Sequence, residues 1–128
     1  MSGPVVLDAC ALIALALDEK GSDVVLEHMR CTAYIHAINA FEVAVKLMGK
    51  TISEEDAWSA AAFGGVQCID DVGYPLRRRA ARLKSVNTHL SLGDCFCLAL
   101  AEELYGSVVT SDGGFSTAKT TAQVIRFR

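Results

Sequence analysis

Four carboxylates in this chain, Asp8, Glu42, Asp94 and Asp112, each stand alone beside a stretch rich in apolar residues. Most of the other acids fall in the polar clusters Asp18-Glu19, Glu54-Glu55-Asp56, Asp70-Asp71 and Glu102-Glu103, which read as solvated faces or turns. A solitary carboxylate next to buried structure is costly unless a cation or several donors compensate it. Four acids gathered closely would repel one another and drive some toward protonation. A divalent cation removes that penalty. An oxygen-only ligand set with no His or Cys nearby favours Mg²⁺ or Mn²⁺ over zinc. An acidic site of that kind suits phosphate chemistry, in which the metal neutralises charge and generates hydroxide from water.

Each acid also has a local role open to it. Asp8 ends an apolar run and can cap the helix that follows. Glu42 lies three residues after Asn39, a capping-box spacing, and four before Lys46, an ion-pair spacing. Asp94 stands three after Ser91 in the S-x-x-D arrangement. Asp112, in Thr110-Ser111-Asp112-Gly113-Gly114, has ordinary turn neighbours. The fold decides between local and shared roles.

The elements that would carry these acids follow from the apolar pattern. Val5-Val6-Leu7 reads as a buried strand ending at Asp8, followed by a helix over Ala9 to Leu17. A short helix is predicted over Ser22 to Met29 and a strand over Thr32 to Ile35. Asn39 is expected to cap a helix running to Met48 and closed by Gly49. Ser53 opens a helix ending near Gly64-Gly65, and Val66 to Ile69 is a third strand. Pro75 sits in the first turn of a basic helix, and Ser91 caps the longest helical pattern, running to Tyr105. Ser107 to Thr110 and Gln123 to Phe127 complete the strands. Alternation of strands with helices predicts an α/β fold with a mainly parallel sheet covered on both faces. Asp8 and Asp112 would then lie at the carboxyl ends of strands, where open α/β sheets bind ligands. Asp94 and Glu42 would fall in the first turns of helices that can begin at that same edge.

Composition bounds the rest. The chain has 128 residues, 52% hydrophobic and 21% charged, which fits one domain over residues 1–128 and excludes a disordered chain. No apolar run reaches the roughly 18 to 20 residues needed to span a bilayer. The N-terminus lacks a secretory pattern, so a cytoplasmic location is expected. A net charge of -3, from 12 basic and 15 acidic residues, argues against a surface coated in positive charge. The five cysteines form no CxxC pair, and Cys10, Cys95 and Cys97 lie in apolar runs where a thiol serves as core filling. His28, His36 and His89 form no zinc motif.

At the four acids the sequence resembles the PIN-domain ribonucleases, and especially the VapC-like toxins of prokaryotic toxin–antitoxin pairs. The matching segments are Val5-Val6-Leu7-Asp8-Ala9-Cys10-Ala11-Leu12-Ile13-Ala14-Leu15, Asn39-Ala40-Phe41-Glu42-Val43, Leu92-Gly93-Asp94-Cys95 and Thr110-Ser111-Asp112-Gly113-Gly114-Phe115. They occur in the family's order across essentially the whole chain. The resemblance implies a PIN-like three-layer α/β/α fold and a metal site of Asp8, Glu42, Asp94 and Asp112. There Mg²⁺ or Mn²⁺ activates water against an RNA phosphodiester, leaving a 5′-phosphate and a 3′-hydroxyl. It further implies a homodimer and a cognate antitoxin whose C-terminal segment blocks the site. Two positions depart from the family pattern: Cys10 stands where Ser or Thr is usual, and Gly114 where many members carry an acid.

An acidic site alone would repel RNA. Arg77, Arg78, Arg79, Arg82 and Lys84 cluster on one predicted helix whose Leu76, Ala80 and Leu83 would face the core. The basic groups are then either a solvated face or a contact surface for the RNA backbone, with Arg77, Arg78 and Arg82 the candidates. The apolar stretches Ala9 to Leu17, Val24 to Met29 and Phe41 to Met48 are expected to go mostly into the core, with any part left exposed available to a partner helix or a second copy. The leading expectation is a metal-dependent endoribonuclease toxin acting on RNA, with no membrane partner. A PIN-like module that binds RNA or protein without cutting is the alternative.

Overall fold

Val5, Val6 and Leu7 form β1 (Val5–Leu7), and all three are buried, as a strand covered on both faces requires. Their side chains alternate: Val5 and Leu7 enter one core cluster, Val6 the other. The computed structural model describes residues 3–128. After β1 come α1 (Ala9–Ala16), α2 (Ser22–His28), β2 (Ala33–His36), α3 (Ala37–Met48) and α4 (Glu54–Ala61). Then follow β3 (Gln67–Ile69), α5 (Tyr74–Val86), α6 (Leu92–Glu103), β4 (Ser107–Thr110) and β5 (Gln123–Arg126). All strand pairings are parallel, in the order β3-β2-β1-β4-β5.

Helices cover both faces. Leu12, Val25, Val43, Leu47 and Ala57, from α1 to α4, pack with Val5, Leu7 and Val109. Leu76, Ala80 and Leu83 of α5 and Leu98 of α6 pack with Val6 and Val108 on the other side. Each fully buried leucine contributes about 2 kcal/mol to this sandwich. The result is the three-layer α/β/α architecture expected from sequence. Among the described residues no helix is long and apolar enough to cross a membrane.

Strand order reverses at β1. The chain steps outward from β1 through β2 to β3, then returns to place β4 on β1's other side. Such a switch point opens a crevice at the carboxyl ends of the two strands. Asp8 follows β1 directly, and Ser111-Asp112 follow β4, with Leu7 opposite Val109 in the register.

The structure corrects several expected boundaries. The helix assigned an Asn39 cap begins three residues earlier, at Ala37, and β2 extends to His36. His36 is the cap: its Nδ1 accepts from the Ile38 N–H at 3.1 Å, a role an unprotonated imidazole nitrogen can fill. With Nδ1 accepting, Nε2 carries the proton and donates to the Asp71 carbonyl at 2.9 Å. Asn39 is therefore inside the first turn and Glu42 in the second, not in a capping box. At the end of α6, Tyr105 lies outside the helix with a left-handed φ of 53°. The helix opened by Ser53 stops at Ala61, and a 3₁₀ turn (Phe63–Gly65) leads into a β3 shorter by one residue than predicted. Cys95 and Cys97 are core filling as expected; Cys10 is half-buried and makes polar contacts instead.

Candidate metal and active site

Asp8 is 6% exposed, at the start of α1. Its Oδ1 accepts from the Ala9 N–H at 2.8 Å, so the capping role open to it is filled. Oδ2 accepts from Thr110 Oγ1 at 2.8 Å and from Cys10 Sγ at 3.3 Å. Burial is the dominant influence and raises the carboxyl from 3.8 to about 6, against the lowering effect of the Thr110 and Cys10 bonds. The charge of Asp94 raises it further. Asp8 is thus a buried acid with no Lys or Arg partner among the described residues.

Asp94 sits at the third position of α6, where Ser91 and Asp94 form a reciprocal capping box: Asp94 N–H donates to Ser91 Oγ and Ser91 N–H to Asp94 Oδ2. Glu42 projects from α3 and is half-buried. Burial raises its carboxyl; the bond from Asn39 lowers it, the charge of Asp94 raises it, and Lys46 lowers it. Beneath these acids lies Cys97, wholly buried. Burial chiefly raises its thiol well above the usual range, and the charges of Asp8, Asp94 and Glu42 all add to the effect. Asp8, Glu42 and Asp94 therefore share one electrostatic neighbourhood, although α1, α3 and α6 are far apart in sequence.

Asp112 is connected differently. It is exposed and caps a 3₁₀ turn (Gly113–Thr117), with Oδ1 accepting from the Gly114 N–H at 2.8 Å. Its own N–H donates to Thr110 Oγ1 at 3.0 Å, and that hydroxyl donates to Asp8. One threonine thus joins the first and last acids. Cys10 adds further contacts: Sγ reaches Asp8, lies 3.5 Å from Thr110 Oγ1, and accepts from the Ser111 N–H at 3.3 Å. At Gly114 a Cβ would lie 3.2 Å from Asp112 Oδ1, so a larger residue there would crowd the turn. Thr110, Asn39 and Gly93 also border these acids, and no sequence motif singles them out as site residues. Thr110 was visible as a strand-end hydroxyl two residues before an acid.

The donor set fits a hard dication. Asp94 Oδ1, Glu42 Oε2 and Asp112 Oδ2 have no hydrogen-bond partner among the described residues, and every candidate ligand atom is a carboxylate oxygen. Among the described residues, however, no three His, Cys, Asp or Glu side chains are already drawn together at chelating distance.

The PIN domain family model matches residues 5–120. The chain belongs to the PIN-domain family. This PIN domain is similar in structure to a toxin–antitoxin complex from Klebsiella pneumoniae, at 20% identity and a TM-score of 0.78, over 97% of this chain and 98% of that one. It is similar to VapBC2 from Rickettsia felis bound to a DNA fragment from their promoter, at 13% identity and 0.73, over 96% and 98%. It is also similar to VapBC-5 from Mycobacterium tuberculosis, at 18% identity and 0.60, over 97% and 98%. Comparison with curated proteins returned no match.

On α5, Leu76, Ala80 and Leu83 are buried, as the spacing predicted, and Arg77, Arg78 and Arg82 are exposed. The two other basic residues are engaged. Arg79 Nη1 lies 3.2 Å from Glu102 Oε1, and Lys84 donates to the Thr88 and Leu90 carbonyls.

Proposed function

We propose that this PIN domain is a Mg²⁺- or Mn²⁺-dependent endoribonuclease and the toxin of a type II toxin–antitoxin pair. The observation that carries this reading is the buried carboxylate of Asp8 at the β1/β4 switch point, which has no Lys or Arg partner among the described residues and lies within the field of Asp94. When bound, a dication would supply charge neutralisation and a water acidic enough to act as nucleophile near neutral pH. Asp8 and Asp94 would hold it, with Asp112 next and Glu42 either a direct ligand or a group that orients water. Thr110 and Cys10 fix the Asp8 carboxylate, and the capping box fixes Asp94, so neither acid need reorganise much to bind. Arg77, Arg78 and Arg82 would hold the RNA backbone against an otherwise acidic edge.

Partners follow the same reading. The similar toxin–antitoxin structures support a cognate antitoxin. An apolar cleft of about 140 Å³ between α1 and α4, lined by Leu12, Leu15, Ala16, Ala60 and Phe63, suits a partner's apolar side chains. Phe41, Val45 and Met48 are exposed at i, i+4 and i+7 on α3, a stripe suited to a second copy in a homodimer.

The rival reading is a PIN scaffold that binds RNA or protein without cutting, favoured by the absence of an already closed trio of acids among the described residues. One experiment separates them. Wild-type protein is expected to cut a mixed pool of single-stranded RNA in Mn²⁺ and to stop in excess EDTA. Asp8→Asn should fold and lose at least a thousandfold in rate. Cleavage that persists in EDTA or in Asp8→Asn removes the proposed mechanism.

A further inference from the structure

Asn39 is wholly buried, and its Oδ1 is an acceptor with no donor among the described residues. Burying an unsatisfied acceptor costs stability, so a leucine of similar volume would suit the packing better. The other half of the amide is fully used. Nδ2 donates to Glu42 Oε1 at 2.9 Å and to the Gly93 carbonyl at 3.1 Å. Since both partners are acceptors, these bonds also decide which way the amide faces.

Gly93 poses the same puzzle. It occupies the second position of α6, where alanine is the better helix former. A Cβ there would stand 2.6 Å from Glu42 Oε1, 3.0 Å from Cδ and 3.1 Å from Oε2. The whole Glu42 carboxylate therefore lies against the bare glycine backbone. Two neighbouring positions each hold a residue that local stability disfavours, and both touch one carboxylate.

We propose that Asn39 and Gly93 are positioning residues that together seat the Glu42 carboxylate against the first turn of α6, beside Asp94. Asn39 pulls the carboxylate in and ties it to α6; Gly93 leaves the space it occupies. Without the seat, a half-exposed glutamate would sample several rotamers and turn toward Lys46 one helical turn on. This inference rests on the nuclease reading, because it assigns the seat a purpose at that site.

The test uses the full chain, a mixed pool of single-stranded RNA and saturating Mn²⁺. Asn39→Leu should keep or raise the Tm and leave KM within twofold, while kcat falls tenfold to a hundredfold, the usual cost of losing a group that orients a ligand. Gly93→Ala should behave alike, from the opposite side of the carboxylate. The double variant Asn39→Leu/Glu42→Gln should be no slower than Glu42→Gln alone, since Asn39 acts through that carboxylate. Wild-type kcat in Asn39→Leu, or losses that multiply in the double variant, would overturn the seat. Should wild-type protein cut no RNA, the nuclease reading fails by itself, and Mn²⁺ affinity measured by electron paramagnetic resonance decides the seat. A tenfold weakening in Asn39→Leu supports it and an unchanged affinity rejects it.

Discussion

Thr110 Oγ1 donates to Asp8 Oδ2 at 2.8 Å across 102 residues of sequence, and the same hydroxyl accepts from the Asp112 N–H at 3.0 Å. Together with the Asp8 N–H bond to the Val109 carbonyl, this group ties the end of β4 to the end of β1 at the switch point, and it orients the most buried acid of the site. Against the burial that disfavours the charged form of Asp8, this hydroxyl is the strongest influence favouring it. Its position between two acids makes it a direct handle on the site's geometry.

Thr110→Val keeps the shape and removes the hydroxyl. The variant should fold, lose about 2 kcal/mol at pH 8, where Asp8 is ionised, and cleave RNA tenfold to a hundredfold more slowly. Thermal denaturation and initial rates check both values. A variant with wild-type rate would show that Asp8 needs no orientation from β4.

Asp8 also predicts a pH dependence. Its carboxyl is raised from 3.8 to about 6, so between those values the folded chain holds a proton that the unfolded chain has released. The residue's contribution to metal-free stability is complete below about pH 4 and is lost as pH rises through 6. Asp8→Asn should therefore be more stable than wild type at pH 8 without metal, by on the order of 2 kcal/mol, and the gap should narrow toward pH 5. Saturating Mn²⁺ should raise the Tm of wild type but not of Asp8→Asn, and that rise should shrink below pH 6 as protons compete for the site. Denaturation curves at pH 5, 6.5 and 8, with and without Mn²⁺, measure each effect. A gap that does not change with pH would mean that the Asp8 charge is not a buried cost.

The exposed arginines of α5 predict a salt effect. Replacing Arg77, Arg78 and Arg82 with Gln should weaken RNA binding and flatten its salt dependence by about 2 in log–log slope, roughly 0.7 per lost phosphate contact. Arg79 and Lys84 are left intact because Glu102 and the Thr88 and Leu90 carbonyls already hold them. Filter-binding isotherms from low to moderate salt give the slope. Overlapping isotherms for variant and wild type would assign the arginines to a solvated face.

Much of this architecture was legible along the chain because its causes are local. Val5-Val6-Leu7 could only be a buried strand, Ser91 and Asp94 carried their capping box in four consecutive positions, and Leu76, Ala80 and Leu83 marked the inner face of α5. The parallel α/β fold, the four acids and the family resemblance followed from such patterns. Asn39 misled for an equally local reason: an Asn three residues before a Glu looks like a cap. The imidazole of His36 took that role, and the packing of α3 against α6 buried the amide.

Tertiary structure alone decided how the acids relate. Which strand lies beside β1 is set by packing of whole layers, so no local pattern could reveal that Thr110 reaches Asp8 or that Glu42 rests on Gly93. The pKa of Asp8 likewise depends on the burial that the folded layers impose, and on Thr110 from β4 and Asp94 from α6, which the chain brings beside it only on folding.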